Sequence, residues 1–194
     1  YAVRLGGGTH NRRLDFFMYD SNGNNLGNSV SQGYFLDSLL NNDTNWQHIA
    51  IKHDASAKTT YFYRNGVLVG TDNTPSNTTT YEASQNETGD LVIGMNANAF
   101  LQPYVGDLAH LALFKHSNAS GLMTDAEVYK LYDRDGTLGS PASSVAGDVY
   151  YLRNHAKGAD LVGYWRLDNA GSSTRDRSIY RNHGTRGSGA SSQP

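Results

Sequence analysis

Short runs of alternating apolar and polar residues, cut every few positions by Gly, Asn, Asp and Ser, dominate the chain. Alternation with a period of two places successive side chains on opposite faces of a strand. Leu14 to Tyr19 is such a run, closed by the turn cluster Asp20-Ser21-Asn22-Gly23-Asn24-Asn25. Between Trp46 and Asp54, Ile49 and Ile51 face one way, and His48 and Ala50 the other. Thr59 to Arg64 and Val67 to Gly70 flank Asn65-Gly66, a dipeptide that supplies the two positive φ angles of a type I′ hairpin turn. Leu91 to Met95 reads as a short buried strand. Asp107 to Phe114 alternates with Leu111 and Leu113 on one face, and Leu161 to Leu167 is a strand carrying Tyr164 and Trp165.

One helix interrupts this β pattern. Thr124-Asp125-Ala126-Glu127 has the form of a capping box, in which the Thr hydroxyl accepts a first-turn N–H and the Glu reaches back to the cap. Met123 before the cap and Val128 after it form a hydrophobic staple, and Leu131 and Tyr132 extend the apolar face to a predicted end near Tyr132. Residues 133–160 shift to Gly, Ser, Pro and Ala, a linker with room for one or two helical turns at Val149 to His155. A strand segment follows over 161–186, then a Gly/Ser-rich flexible tail over 187–194.

Composition narrows the chemistry. The 194 residues suffice for one sandwich or barrel, and 21 Gly with 13 Tyr suit many short strands joined by turns. A net charge of −2 gives no overall electrostatic footprint for nucleic acid or an anionic membrane, and no apolar run approaches spanning length. The absence of cysteine removes disulfide frameworks and thiolate metal sites.

The segment Trp46-Gln47-His48-Ile49-Ala50-Ile51-Lys52-His53-Asp54, followed by Tyr61-Phe62-Tyr63-Arg64-Asn65-Gly66, resembles the central signature of laminin-G-like domains of the concanavalin A-like lectin/glucanase family. In that family a Trp-x-His-[Val/Ile]-Ala strand precedes a hairpin ending Tyr-x-Asn-Gly. Leu91-Val92-Ile93-Gly94, Gly106-Asp107-Leu108-Ala109-His110-Leu111-Ala112-Leu113-Phe114 and the helix from Leu122 to Tyr132 follow in the family's order. The resemblance implies an all-β fold, a two-sheet antiparallel jelly-roll sandwich with one short helix, over residues 1–132 and lacking its first strands. Where Ala109 and His110 stand, many relatives carry an acidic pair, so no role of that pair transfers. Leu161-Val162-Gly163-Tyr164-Trp165-Arg166-Leu167-Asp168, with Asp176 and Asn182-His183-Gly184-Thr185, resembles the opening of such a domain but stands at the end. It either begins a truncated second copy or completes this one, and the strands missing before Tyr1 favour the former.

Glycosidases on such sandwiches place carboxylates on alternate residues of one strand, so that acid and nucleophile share a face. Only Glu82, Glu87 and Glu127 are glutamates, none in such a pattern, and Glu127 is assigned to the helix cap. Gln47 and His48 are adjacent and point to opposite faces, unlike the constellation of a polysaccharide lyase. No nucleophile elbow or His-Glu-x-x-His helix is present, so no catalytic residue is expected. His48 and His53 alternate onto opposite faces and read as structural, and no acidic residue accompanies His110 and His116.

The resemblance leaves calcium open, since related domains hold it at the rim through carboxylates and carbonyls. Asp20-x-Asn22-x-Asn24 lacks the sixth-position Gly and the twelfth-position acid of a calcium loop. Asp72 and Asn96 are the remaining candidate ligands. For an organic ligand the loop 96–104 stands out: Asn96 and Asn98 offer amides to sugar hydroxyls, and Phe100 and Tyr104 offer rings to sugar faces. The sequence thus predicts a recognition or adhesion module of a larger protein at an extracellular, cell or virion surface, with a glycan or surface protein as partner. The alternative is a structural or decorating part of a virion, tail fibre or surface assembly, packed against neighbouring copies or coat proteins. Neither nucleic acid nor membrane insertion enters either reading.

Overall fold

The structure, a computed structural model, describes residues 2–5, 14–19, 25–30, 46–73, 93, 108–116, 121–132, 152, 157–167 and 173–185. Contacts divide the chain into two compact units, Tyr1–Glu87 with Ser117–Ser143 and Thr88–His116 with Ser144–Pro194.

The first unit contains β1 (Ala2–Leu5), β2 (Leu14–Tyr19) and β3 (Asn25–Val30), an antiparallel sheet in the order β1-β2-β3. A second antiparallel sheet contains β4 (Ile49–Asp54), β5 (Thr59–Arg64) and β6 (Val67–Asp72) in chain order. β-branched and aromatic residues fill β5, the central strand, and they suit a pleated surface covered on both sides. Phe62 and Tyr63 are fully buried on opposite faces of it. Removing a side chain of this size from water contributes about 2–3 kcal/mol. Ala50 pairs with Tyr63 and Lys52 with Tyr61, so these four share one face, while Ile49, Ile51 and His53 lie on the other, as the alternation predicts. On that other face the ring of buried Phe16, from β2, lies 5.6 Å from the ring of His53.

Both hairpin turns of this sheet follow from local chemistry. Asn65 and Gly66 have φ of 50° and 76°, the predicted pair of left-handed residues, with Arg64 opposite Val67. Gly66 has a second reason to be glycine: a Cβ there would meet Tyr129 and Tyr132 at 2.9 and 3.1 Å. At the β4–β5 turn the Asp54 Oδ1 accepts from the Ser56 and Ala57 amides at 2.9 and 3.0 Å, and Lys58 closes the turn at φ 51°.

Helix α1 (Asp125–Tyr132) starts where the capping box places it. The Glu127 amide donates to Thr124 Oγ1 at 3.3 Å, and the Thr124 amide donates to Glu127 Oε2 at 2.7 Å. Met123 and Val128, the two halves of the staple, are buried.

In the second unit β7 (Leu111–Phe114) pairs antiparallel with β8 (Leu161–Trp165), with Leu111 opposite Trp165 and Phe114 opposite Leu161. A short 3-10 helix, Gly158–Asp160, leads into β8, and β9 (Ser173–Thr174) pairs with β10 (Gly184–Thr185). Both β7 and β8 are shorter than the alternation predicts. His110 at φ 58° and Leu167 at φ 61° leave the extended region at corresponding ends of the ladder. Gly163 is required by close approach, because the Trp165 ring occupies the space a Cβ would need. Of the predicted strand 91–95 only Ile93 is described, and it lies outside the ladders; of the predicted helical stretch 149–155 only Leu152 is described, and it is helical.

Removing the cap hydroxyl in Thr124→Ala leaves the Glu127 amide without its acceptor. The expected loss is about 1 kcal/mol of stability, seen as a lower urea midpoint at unchanged slope in a circular-dichroism titration.

Candidate functional site

The predicted ligand residues Asn96, Asn98, Phe100 and Tyr104 lie outside the described residues. Asp72 is described: it ends β6 opposite Thr60 and is buried. Among the described residues no three His, Cys, Asp or Glu side chains gather in a way that could hold a metal ion. The described polar clusters are built instead around the family-like motifs, one set in each unit.

In the first unit the His48 amide donates to Asn65 Oδ1 at 2.9 Å, and the Asn65 amide donates to the His48 carbonyl at 2.8 Å. The turn residue thereby clamps the chain entering β4. The His48 ring lies 5.9 Å from the Tyr132 ring at the end of α1, and its Nδ1 is buried with no hydrogen-bond partner among the described residues. Burial lowers its pKa to about 4, so the ring is neutral at pH 7. Along the same sheet face the Lys52 ammonium lies 4.4 Å from the centre of the Tyr61 ring and 5.3 Å from that of Tyr63. Lys52 Nζ donates to the Met123 carbonyl at 3.1 Å and pairs with Asp125 Oδ1 at 3.2 Å. Asp125 Oδ1 also accepts from the Tyr63 hydroxyl at 2.7 Å, which with Lys52 holds its carboxyl below the usual range. Burial and then the Asp125 carboxylate push the Tyr63 hydroxyl up. This trio fastens the start of α1 to the sheet. It leaves the phenol protonated and unsuited to act as a base.

In the second unit the central group is Asp176, 2 % exposed. Its Oδ1 accepts from the amides of Tyr164 and Ser178 at 2.9 and 2.8 Å. Its Oδ2 accepts from the Asn182 amide and the Ser178 hydroxyl, both at 2.8 Å. Burial raises this carboxyl, and the four hydrogen bonds outweigh that, leaving it below the ordinary carboxylate range. The Asp176 amide donates to His183 Nδ1 at 3.1 Å, and Trp165 Nε1 donates to the Asn182 carbonyl at 3.0 Å. Asp176, Ser178, Asn182 and His183 thus fold the loop between β9 and β10 around one carboxylate and lock it to β8.

The two histidines beside β7 have partners that sequence proximity did not reveal. His110 Nδ1 lies 2.8 Å from the Tyr164 hydroxyl. The expectation that nothing acidic accompanies His110 and His116 is corrected: His116 Nδ1 lies 2.9 Å from Asp160 Oδ2. Asp160 is 44 positions away in sequence and is brought there by the ladder of β7 with β8. One carboxylate beside one imidazole is a hydrogen-bonded pair, short of a metal site.

Comparison with known proteins identifies a family. The laminin-G-type family model described as "Concanavalin A-like lectin/glucanases superfamily" matches residues 2–120, and the chain belongs to that family. Among solved structures it is similar to an S-layer domain-containing protein (residues 221–444) from Clostridium thermocellum ATCC 27405, at 20% identity and a TM-score of 0.35. That match covers 63% of this chain and 52% of the other, so the chain spans about half the length of the structure it matches. No curated protein matches. Among the described residues no helix is long and apolar enough to cross a membrane.

Asp176→Ala strands three amides at once. With roughly 1–3 kcal/mol for each buried donor left unsatisfied, the expected loss is at least about 3 kcal/mol. In hydrogen exchange the Tyr164, Ser178 and Asn182 amides lose protection first. A loss spread evenly over both units instead would show that Asp176 does not anchor this loop.

The neutral His48 has a pH signature. Its pKa is 6.5 in the unfolded chain and about 4 when folded, so between these values the unfolded chain binds more protons. Stability therefore falls as pH drops from about 6.5 to about 4, by up to about 3 kcal/mol from this ring. His53, lowered mainly by burial and partly restored by Asp54, acts in the same direction. The depressed carboxyls of Asp54, Asp125 and Asp176 act lower, their stabilisation being lost as pH falls through their folded values. In urea titrations at pH 7 and 4.5, His48→Gln is expected to shrink the difference between the two midpoints.

Proposed function

We propose that this chain is a non-catalytic recognition module of a larger surface-displayed protein, binding a glycan or a protein ligand through rim loops. The reading rests on family membership over residues 2–120, a family whose description covers both lectins and glucanases. What favours recognition over hydrolysis is the use made of four carboxylates among the described residues. Asp54 holds a turn, Glu127 caps a helix, Asp125 binds Tyr63 and Lys52, and Asp176 folds a loop. A glycosidase needs two carboxyls facing one another across a substrate. The jelly-roll arrangement of two sheets belongs to this reading, and the Phe16–His53 ring contact between the two three-stranded sheets supports it. The loop carrying Asn96, Asn98, Phe100 and Tyr104 is the proposed ligand contact, with Asn96 as a ligand should calcium take part.

A second reading, a structural or decorating part of a surface or virion assembly, is favoured by one observation. Trp46, Ile49, Val67 and Leu68 are exposed, and the register places Ile49 and Val67 on either side of Arg64. Exposed apolar side chains brought together by a sheet suit contact with neighbouring copies or coat proteins.

A glycan array probed with the isolated chain, in calcium and in chelator, separates the two. Recognition predicts a saturable signal that falls at least about tenfold in the Asn98→Ala/Tyr104→Ala double variant, and loss in chelator would add a calcium site. No signal in either condition, with self-association in light scattering, would favour the assembly reading.

A further inference from the structure

The loop from Arg175 to His183 is built more firmly than a connection needs. The β9–β10 ladder closes its two ends, with Thr174 opposite Gly184. Four hydrogen bonds to the Asp176 carboxylate fix its interior. The Arg177 amide donates to the Tyr164 carbonyl at 2.8 Å, and the Tyr180 amide donates to Ser178 Oγ at 3.2 Å. Arg181 is held at φ 54°, a left-handed conformation that a non-glycine residue keeps only where its surroundings enforce it.

All of this order is directed inward, and the side chains left outside are unusual. Ile179 is 70% exposed and Tyr180 56%, side by side at the tip. Arg175 and Arg181 are exposed on the same loop, and its single acid, Asp176, is buried and saturated with hydrogen bonds. The loop is therefore a local basic, aromatic surface on a chain whose overall charge is −2. A loop backbone already fixed has little freedom of its own to lose on binding, and a guanidinium fork matches a carboxylate in two parallel hydrogen bonds. An exposed tyrosine ring offers a flat face for the apolar face of a sugar.

We propose that the Arg175–His183 loop is a binding surface for an anionic polysaccharide, with Arg175 and Arg181 taking its carboxylates and Ile179 and Tyr180 its sugar faces. The inference rests on the reading of the chain as a recognition module. It adds a second loop to the proposed 96–104 contact and gives the ligand a charge. A basic, aromatic surface also suits single-stranded nucleic acid. A nucleic-acid binder tracks many phosphates along an extended basic groove, whereas this basic surface is a short loop on a chain of net negative charge.

The test is retention of the whole chain on immobilised polygalacturonate, with dextran as the neutral polymer and a single-stranded oligonucleotide as the competing anion. The expected result is saturable binding to polygalacturonate that weakens with salt. It falls about fivefold to tenfold in Tyr180→Ala and about tenfold for each of Arg175→Gln and Arg181→Gln. These side chains are exposed, and unchanged thermal melts confirm that the variants fold. No retention on polygalacturonate, retention indifferent to all three substitutions, or equal retention on the oligonucleotide would each overturn the inference. Dextran or array binding that needs only Asn98 and Tyr104 would overturn it too, while leaving the recognition reading intact.

Discussion

Backbone amides left over where short strands turn must find an acceptor, and the described structure is organised by how side-chain oxygens meet that demand. Strands of two to six residues and a helix of eight residues have many ends for their length. Asp54 supplies the β4–β5 turn, Asn65 the chain entering β4, Thr124 with Glu127 the start of α1, and Asp176 the loop beyond β8. Each of these bonds does more than satisfy a donor, because it fixes where an apolar face points. The Asn65 clamp sets the entry of β4 and so the side of the sheet on which His48 meets Tyr132.

The same constraint bears on function. A carboxylate that holds two or three backbone donors is a weakened base, and its lowered pKa keeps it from acting as an acid near neutrality. Asp176 is the extreme case, buried and four times bonded. What such a residue gives the protein is a rigid loop, and rigidity is useful where binding must not be opposed by loss of freedom. The first unit shows the same logic in the Tyr63–Asp125–Lys52 trio, which ties helix to sheet by pairing the buried Tyr63 and half-buried Lys52 with the exposed Asp125 carboxylate.

Much of this was legible in the sequence where the governing interaction is local. Leu14–Tyr19 and Thr59–Arg64 form strands with the predicted bounds, and the Asn65-Gly66 turn has the positive φ values its residues require. The capping box and staple at Thr124 form with their predicted partners. The faces of β4 follow from simple alternation. The predicted ends of the β7 and β8 strands are too long, because left-handed His110 and Leu167 carry no local signal comparable to Asn-Gly. The basic face of the Arg175–His183 loop was hidden by net charge, which averages over surfaces that never meet a partner together.

Residue types and spacings of two to four positions therefore determined the turns, the cap and the alternation, because a side chain can reach only a few backbone groups near it and its chemistry selects among them. They also determined the absence of thiol chemistry. Tertiary structure alone decided the long-range partners: Asp160 for His116, Tyr164 for His110, Tyr164 and Asn182 for Asp176, Asp125 for Lys52. Any of several acids or amides could have filled those places as far as composition goes. Which one does so depends on which distant strands pair, and that is set by the burial of whole faces such as Tyr63 and Tyr164, and by no short stretch of sequence.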